Sequence, residues 1–132
     1  MERTYVMLKP DAYERGLMGE IISRIERKTY KIVDVKMINL EDEILKLHYA
    51  HLVDKPFFGE LVAYLKSGPV LAMIVEGYDV VNGMRTMCGP TASYEALPGS
   101  IRGDYSTSKQ RNLVHASDSV ESAEAEIKRF FS

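Results

Sequence analysis

Cysteine occurs once in the 132 residues, at Cys88. A lone thiol closes no internal disulfide, so the fold is held by its core, and this usage fits a reducing cytoplasm. A large net charge is also missing: 17 Lys and Arg against 19 Asp and Glu leave −2. No global field draws the chain to nucleic acid or to an anionic membrane, so an anion site has to be a local cluster of cations. No apolar run is long enough to span a bilayer. The opening Met1-Glu2-Arg3-Thr4 has none of the apolar core of a secretory leader. Several chemistries lack their signatures. There is no GxxxxGK loop followed by Ser or Thr for a phosphate cradle, and no G-x-S-x-G elbow for a hydrolase nucleophile. No Cys/His cluster has zinc spacing, since Cys88 stands alone and His48 and His51 lack partners in the sequence. Internal repeats, low-complexity tracts and linkers are absent too, so a single domain over residues 1–132 is expected.

What is present reads as strands alternating with helices. Thr4–Leu8 is rich in strand formers and is stopped by Lys9-Pro10-Asp11, because proline cannot donate to a ladder. Leu17, Ile21 and Ile25 recur at a spacing of four and predict a helix over 16–29. Residues 31–40 alternate in part with period two, as a half-buried strand does. Asn39 is placed to cap a helix over 40–51, and Pro56 to start another with Phe57, Leu61 and Leu65 on one stripe. Val70–Val75 is continuously apolar, the mark of a strand buried on both faces. A helix over 79–87 follows, with Asp79 as its cap. Residues 88–111 hold few apolar side chains and much Gly and Pro, and a loop of that length in a compact domain is usually functional. Leu113–His115 is a last short strand, and Ala123, Ile127, Phe130 and Phe131 line a final helix over 119–131. Two βαβ-like halves and four strands point to an α+β ferredoxin-like sandwich, a four-stranded antiparallel sheet covered by helices. Strands one and four are expected near its middle, with Lys9 and His115 approaching one another. A mainly parallel doubly wound sheet is the alternative.

The stretch Arg111 to Asp118 delivers a histidine, His115, from a strand end to a turn. Asp118 is read as the cap of the helix that follows, with Glu121 completing a capping box. His115 then stands before a helix N-terminus, which attracts anions, and a neutral imidazole there can act as nucleophile or as acid and base. Asn112 adds a neutral donor. Lys9 ends the first strand, Arg85 precedes the long loop, and Arg102 sits within Gly99-Ser100-Ile101-Arg102-Gly103-Asp104. Arginine binds phosphate through a planar fork, and glycine allows close backbone approach to a ligand. Thr91 offers a hydroxyl.

The pattern Asn112-x-x-His115-x-Ser117-Asp118 resembles the active-site signature of the nucleoside diphosphate kinases. Four fixed residues at that spacing arise by chance on the order of once in thousands of chains, so the match carries weight. It extends along nearly the whole chain, through Lys9-Pro10-Asp11, Arg15-Gly16-Leu17, His48-Tyr49, Pro56-Phe57-Phe58, Ser67-Gly68-Pro69, Gly89-x-Thr91 and Pro98-Gly99-x-Ile101-Arg102-Gly103-Asp104. The resemblance implies transfer of a terminal phosphate from a nucleoside triphosphate to a diphosphate through phosphorylated His115. Glu126 would hold the imidazole and Ser117 would support that carboxylate. Lys9, Arg85, Thr91, Arg102 and Asn112 would hold phosphates and sugar, with Tyr49 near the transferred group and Phe57 stacked on the base. It also implies Mg2+ held mainly by the nucleotide, no protein-borne metal site, and a homo-oligomer, tetramer or hexamer.

Departures lie at Ala116, where the family often has glycine, at Ala92-Ser93 after Thr91, and at Lys109, where an apolar residue often closes the base slot. Two other classes compete. A nucleotide-sensing module would not need His115, Glu126 and Lys9 together. A nucleic-acid binder of this shape would carry aromatic residues on a sheet face and a basic patch, whereas this chain has no RNP-type aromatic motif and an acidic pI near 5.9.

Overall fold

The computed structural model describes residues 1–131. Strands β1 (Glu2–Leu8), β2 (Lys31–Ile38), β3 (Val70–Gly77) and β4 (Val114–Ala116) form one sheet in the order β2-β3-β1-β4. Every ladder is antiparallel, which excludes the doubly wound alternative. β1 and β3 hold the centre, while β4 is an edge strand, contrary to the expectation for strand four. Lys9 and His115 still meet, because β4 pairs with β1 directly and sets Met7 opposite His115.

Side chains alternate across β1, so its residues feed two cores. Val6 and Leu8 join Met73, Val75, Ile21, Ile25, Met84 and Ile101 on one face. Tyr5 and Met7 join Ala72, Leu45, Leu61, Leu65 and Phe130 on the other. Helices α2 (Met18–Arg27) and α5 (Val80–Cys88) cover the first face, and α3 (Asp42–His48), α4 (Phe58–Leu65) and α7 (Val120–Phe131) the second. Truncating a fully buried Leu65 to alanine in such a core costs about 2–5 kcal/mol. Among the described residues no helix is long and apolar enough to cross a membrane.

Several local expectations are corrected. Pro10 ends β1 but also opens a further helix, α1 (Pro10–Glu14), since its fixed φ suits a first helical position. The helix expected over 16–29 is the shorter α2. Asn39 does not cap α3, which starts at Asp42 after Glu41; it ends at His48 and a 3₁₀ turn spans Ala50–Leu52. Asp79 does not cap α5 with its side chain: it has φ of +51°, and the Val81 N–H is met instead by Glu2 Oε1 at 2.9 Å. The long loop contains a 3₁₀ turn, Ser93–Glu95, and a helix, α6 (Ile101–Tyr105), capped by Ser100. β2 is exposed along most of its length rather than half-buried, because it is an edge strand beyond the helical cover.

Candidate active site

β1 ends where α1 begins, so the chain turns sharply at Lys9 and leaves its side chain inside, 8 % exposed. Its ammonium donates to Asn112 Oδ1 at 2.7 Å. Burial, and then the Arg102 charge, lower Lys9 from 10.5 to about 7, against the opposing pull of Asp11 and Cys88. Across the β1–β4 pairing lies His115. Its Nε2 sits 2.7 Å from Glu126 Oε1, on α7, and the Ser117 hydroxyl donates to the same oxygen at 2.8 Å. A carboxylate only accepts, so Nε2 carries the proton and Nδ1 is the ring nitrogen left free of the carboxylate. Burial raises the Glu126 pKa, but the hydrogen bond and charge of His115 outweigh it and hold the group below the usual carboxylate range.

These groups line a cavity of about 530 Å3 with Tyr49, Arg85, Thr91, Arg102, Asn112, Asp118 and Ser122. The sequence-predicted residues therefore converge, with two qualifications. Ser117 is fully buried and reaches the site through Glu126. Phe57, just before α4, is 45 % exposed and does not line this cavity.

The cations differ in their freedom. Arg85 makes one long contact, to the Ala116 carbonyl at 3.4 Å. Arg102 is 4 % exposed and spends donors on the carbonyls of Gly89 (2.7 Å), Asn112 (3.3 Å) and Val114. It ties the long loop to β4, and its fork has donors left over, since a guanidinium has five. Glycine in this loop serves the chain's own packing. A Cβ on Gly103 would stand 1.9 Å from the Leu97 carbonyl oxygen.

The helix start beside His115 differs from expectation. α7 begins at Val120, and Ser119 Oγ, not Asp118, accepts the Ser122 N–H at 3.0 Å. Asp118 stays in the cavity lining, its carboxyl lowered chiefly by a hydrogen bond from Ser122. The Tyr49 hydroxyl is buried with no partner among the described residues, and burial pushes its pKa up, so it stays protonated. A protonated hydroxyl with no partner among the described residues is a donor in reserve.

Sequence reasoning missed His48 and Arg129. His48 ends α3, and its ring stands 4.9 Å from that of His115, edge to face. Arg129 NH1 lies 2.9 Å from His48 Nδ1. Guanidinium only donates, so Nδ1 accepts and the neutral ring carries its proton on Nε2. Burial, then the neighbouring His115, lower His48 to about 3. Spacing gives no signal for this pair, because 81 residues separate its members. His48, His115 and Glu126 bring metal-capable atoms within 4.8 Å of one another, although Glu126 and Arg129 already hold the two rings by hydrogen bonds.

The arrangement, a held imidazole facing a cationic cavity, suits phosphate chemistry, and comparison with known proteins agrees. The family model for nucleoside diphosphate kinase matches residues 2–132. The nucleoside diphosphate kinase of Exiguobacterium sibiricum is 55 % identical over 131 residues, 99 % of this chain and 95 % of that protein. That of Acetivibrio thermocellus is 52 % identical, over 99 % of this chain and 96 % of the other. Among solved structures, a halophilic nucleoside diphosphate kinase from Halobacterium salinarum in complex with CDP superposes with a TM-score of 0.96. It is 45 % identical, covering 99 % of this chain and 88 % of that one. The apo enzyme from Encephalitozoon cuniculi gives the same TM-score and identity over 89 % of its chain. With its antiparallel sheet, its held histidine and this full-length kinship, the chain belongs to the nucleoside diphosphate kinase family of phosphotransferases.

Proposed function

We propose that this enzyme moves the terminal phosphate of a nucleoside triphosphate to a nucleoside diphosphate in two half-reactions, through phosphorylated His115, with Mg2+ required. The observation that carries the proposal is His115, its Nε2 proton committed to Glu126 at 2.7 Å, in a cavity lined by Lys9, Arg85 and Arg102.

In the first half-reaction the Nδ1 lone pair attacks the terminal phosphorus. The N–P bond forms as the P–O bond to the diphosphate breaks, and the leaving oxygen keeps the electron pair. No proton has to leave the ring, because Nε2–H stays with Glu126, whose charge offsets the positive charge gained by the imidazole. The diphosphate departs, another enters, and its terminal oxygen attacks the phosphohistidine with the bonds exchanged in reverse. Such transfer depends on positioning and charge neutralisation. Lys9 and the arginines supply the charge, and the protonated Tyr49 hydroxyl supplies a donor for the group in flight. Thr91 and Asn112 hold the nucleotide beside them.

Asp118 and Glu126 are the carboxylates lining the cavity among the described residues, and Glu126 is bonded to His115. That set fits an oxygen-seeking Mg2+ held mostly by phosphates, with Asp118 as its protein neighbour. When bound, the ion would neutralise phosphate charge. The CDP complex of the Halobacterium relative supports a pyrimidine diphosphate as one acceptor here. Phe57 is exposed enough to stack on a base. The lone buried Cys88 suits the cytoplasm as the working compartment.

We also infer assembly into a homo-oligomer, a tetramer or hexamer. β2 is an edge strand carrying Val33, Val35 and Met37 at 39 %, 49 % and 53 % exposure. Apolar edges of that kind are normally covered. A monomer by light scattering at micromolar concentration would contradict this. The decisive experiment on function uses γ-labelled ATP with magnesium. Label should enter the wild-type protein, leave on addition of GDP, and fail to enter His115→Ala. A labelled His115→Ala sinks the assignment.

A further inference from the structure

Leu113, between Asn112 and Val114, has φ of +75°. The Val114 N–H donates back to the Asn112 carbonyl at 2.9 Å. This is a three-residue turn closed by an i to i+2 hydrogen bond, in the positive-φ form that L-residues rarely take and that stores strain. Glycine would adopt it freely, but Leu113 is fully buried in the core, so its side chain is needed and the strain must be held by neighbours.

One backbone bond, the Arg102 guanidinium on the Asn112 and Val114 carbonyls, and the Asp11 carboxylate do the holding. The Lys9 N–H donates to the Leu113 carbonyl at 2.8 Å. The Leu113 N–H donates to Asp11 Oδ2 at 3.2 Å. The other carboxylate oxygen, Oδ1, accepts the Tyr64 hydroxyl from α4. The Arg111 guanidinium lies over the Tyr64 ring, 4.9 Å from its centre. Asp11 is only 4 % exposed, and it sits in the first turn of α1, where a carboxylate usually serves its own helix. Here both oxygens are given to other segments.

We propose that Asp11 is a positioning residue for phosphoryl transfer: braced by Tyr64, its carboxylate clamps the strained Leu113 turn and so fixes the Lys9–Asn112 pair relative to His115. His115 follows directly on the last residue of that turn, so a slip of the turn is passed directly to β4. A misplacement of about 1 Å can cost on the order of a hundredfold in rate. The inference rests on the reading of His115 as nucleophile.

The test compares Asp11→Asn, Tyr64→Phe and the double variant in steady-state transfer from ATP to GDP, with the folded fraction taken from thermal melts. Label on wild-type His115 is measured separately, so failure of the nucleophile reading is seen independently of the Asp11 result. Asparagine keeps the shape but puts a donor against a donor. We expect kcat of Asp11→Asn to fall roughly 10- to 100-fold, with KM for both nucleotides within about threefold of wild type. Tyr64→Phe should lose less, and the double variant should be no slower than Asp11→Asn, because Tyr64 acts through the carboxylate. The proposal is overturned by a kcat within threefold of wild type, by a loss that only tracks the folded fraction, by a change confined to KM, or by additive effects. If Asp11→Asn does not fold, Tyr64→Phe decides alone: unchanged kcat in that variant overturns the proposal.

Discussion

Replacing Glu126 by alanine isolates the contact on which the proposed chemistry turns. The carboxylate sits 2.7 Å from His115 Nε2, with side-chain exposures of 13 % for Glu126 and 21 % for His115, so water screens it little. A hydrogen bond to a charged group contributes about 1.5–3 kcal/mol. At roughly 1.4 kcal/mol per decade, its loss in the transition state corresponds to about a 10- to 150-fold fall in kcat. Ser117→Ala removes the 2.8 Å bond behind the carboxylate, along with a long 3.4 Å contact to the Tyr5 carbonyl, and leaves His115 held. A net loss of about 0.5–1.5 kcal/mol, or roughly two- to tenfold, is expected there. Since Ser117 acts through Glu126, the double variant should be no slower than Glu126→Ala alone. The assay is rapid-quench measurement of label entering His115 from γ-labelled ATP at saturating nucleotide, with affinity measured in parallel. Glu126→Ala labelling within a factor of two of wild type, or a loss confined to affinity, would refute the reasoning. The imidazole would then be oriented by something other than this carboxylate.

Three further outcomes follow from the same geometry. Lys9, lowered to about 7 by burial and by Arg102, loses its proton in the free enzyme as pH rises through that value; kcat/KM should therefore fall above about pH 7 while kcat holds, because bound phosphate stabilises the cation. A pH profile of Lys9→Arg that keeps this limb counts against Lys9 as its source. His48, neutral down to about 3 when folded against 6.5 ordinarily, takes up a proton on unfolding between those values; stability should decline as pH falls through that window, and urea midpoints of His48→Gln should show a flatter acid limb. Finally, with Phe57 stacking on the base as proposed, kcat/KM for GDP, ADP, CDP, UDP and dTDP should span about one to two decades, as stacking differences of roughly 1–3 kcal/mol allow. A preference above about ten-thousandfold for one base requires buried polar readout and contradicts this.

The sequence by itself determined the family, the succession of the four strands and the longer helices, and most of the candidate residues that line the cavity. It does so because apolar periodicity is local, as in α2, α7 and the continuous run of β3, and because the residues that carry the resemblance are legible by type and spacing: Lys9 at a strand end, Asn112, His115 and Ser117 on one short stretch, Glu126 eleven residues beyond His115 on the last helix. It misjudged the caps: Glu2, distant in the chain, meets the start of α5, and Ser119, one residue on from Asp118, caps α7. It placed strand one rightly near the middle and strand four wrongly, because strand order is settled by how two helical layers cover β1 and β3 and leave β2 and β4 at the edges. Only the tertiary structure decided which ring nitrogen of His115 is tied to Glu126, that burial keeps His48 neutral beside it with Arg129 on its Nδ1, and that Leu113 bends with a positive φ with its N–H on Asp11. Each of these depends on a hydrogen bond or contact between segments far apart in the chain, and on the desolvation that comes with burial. Neither is written in the spacing of residues along a strand or a helix.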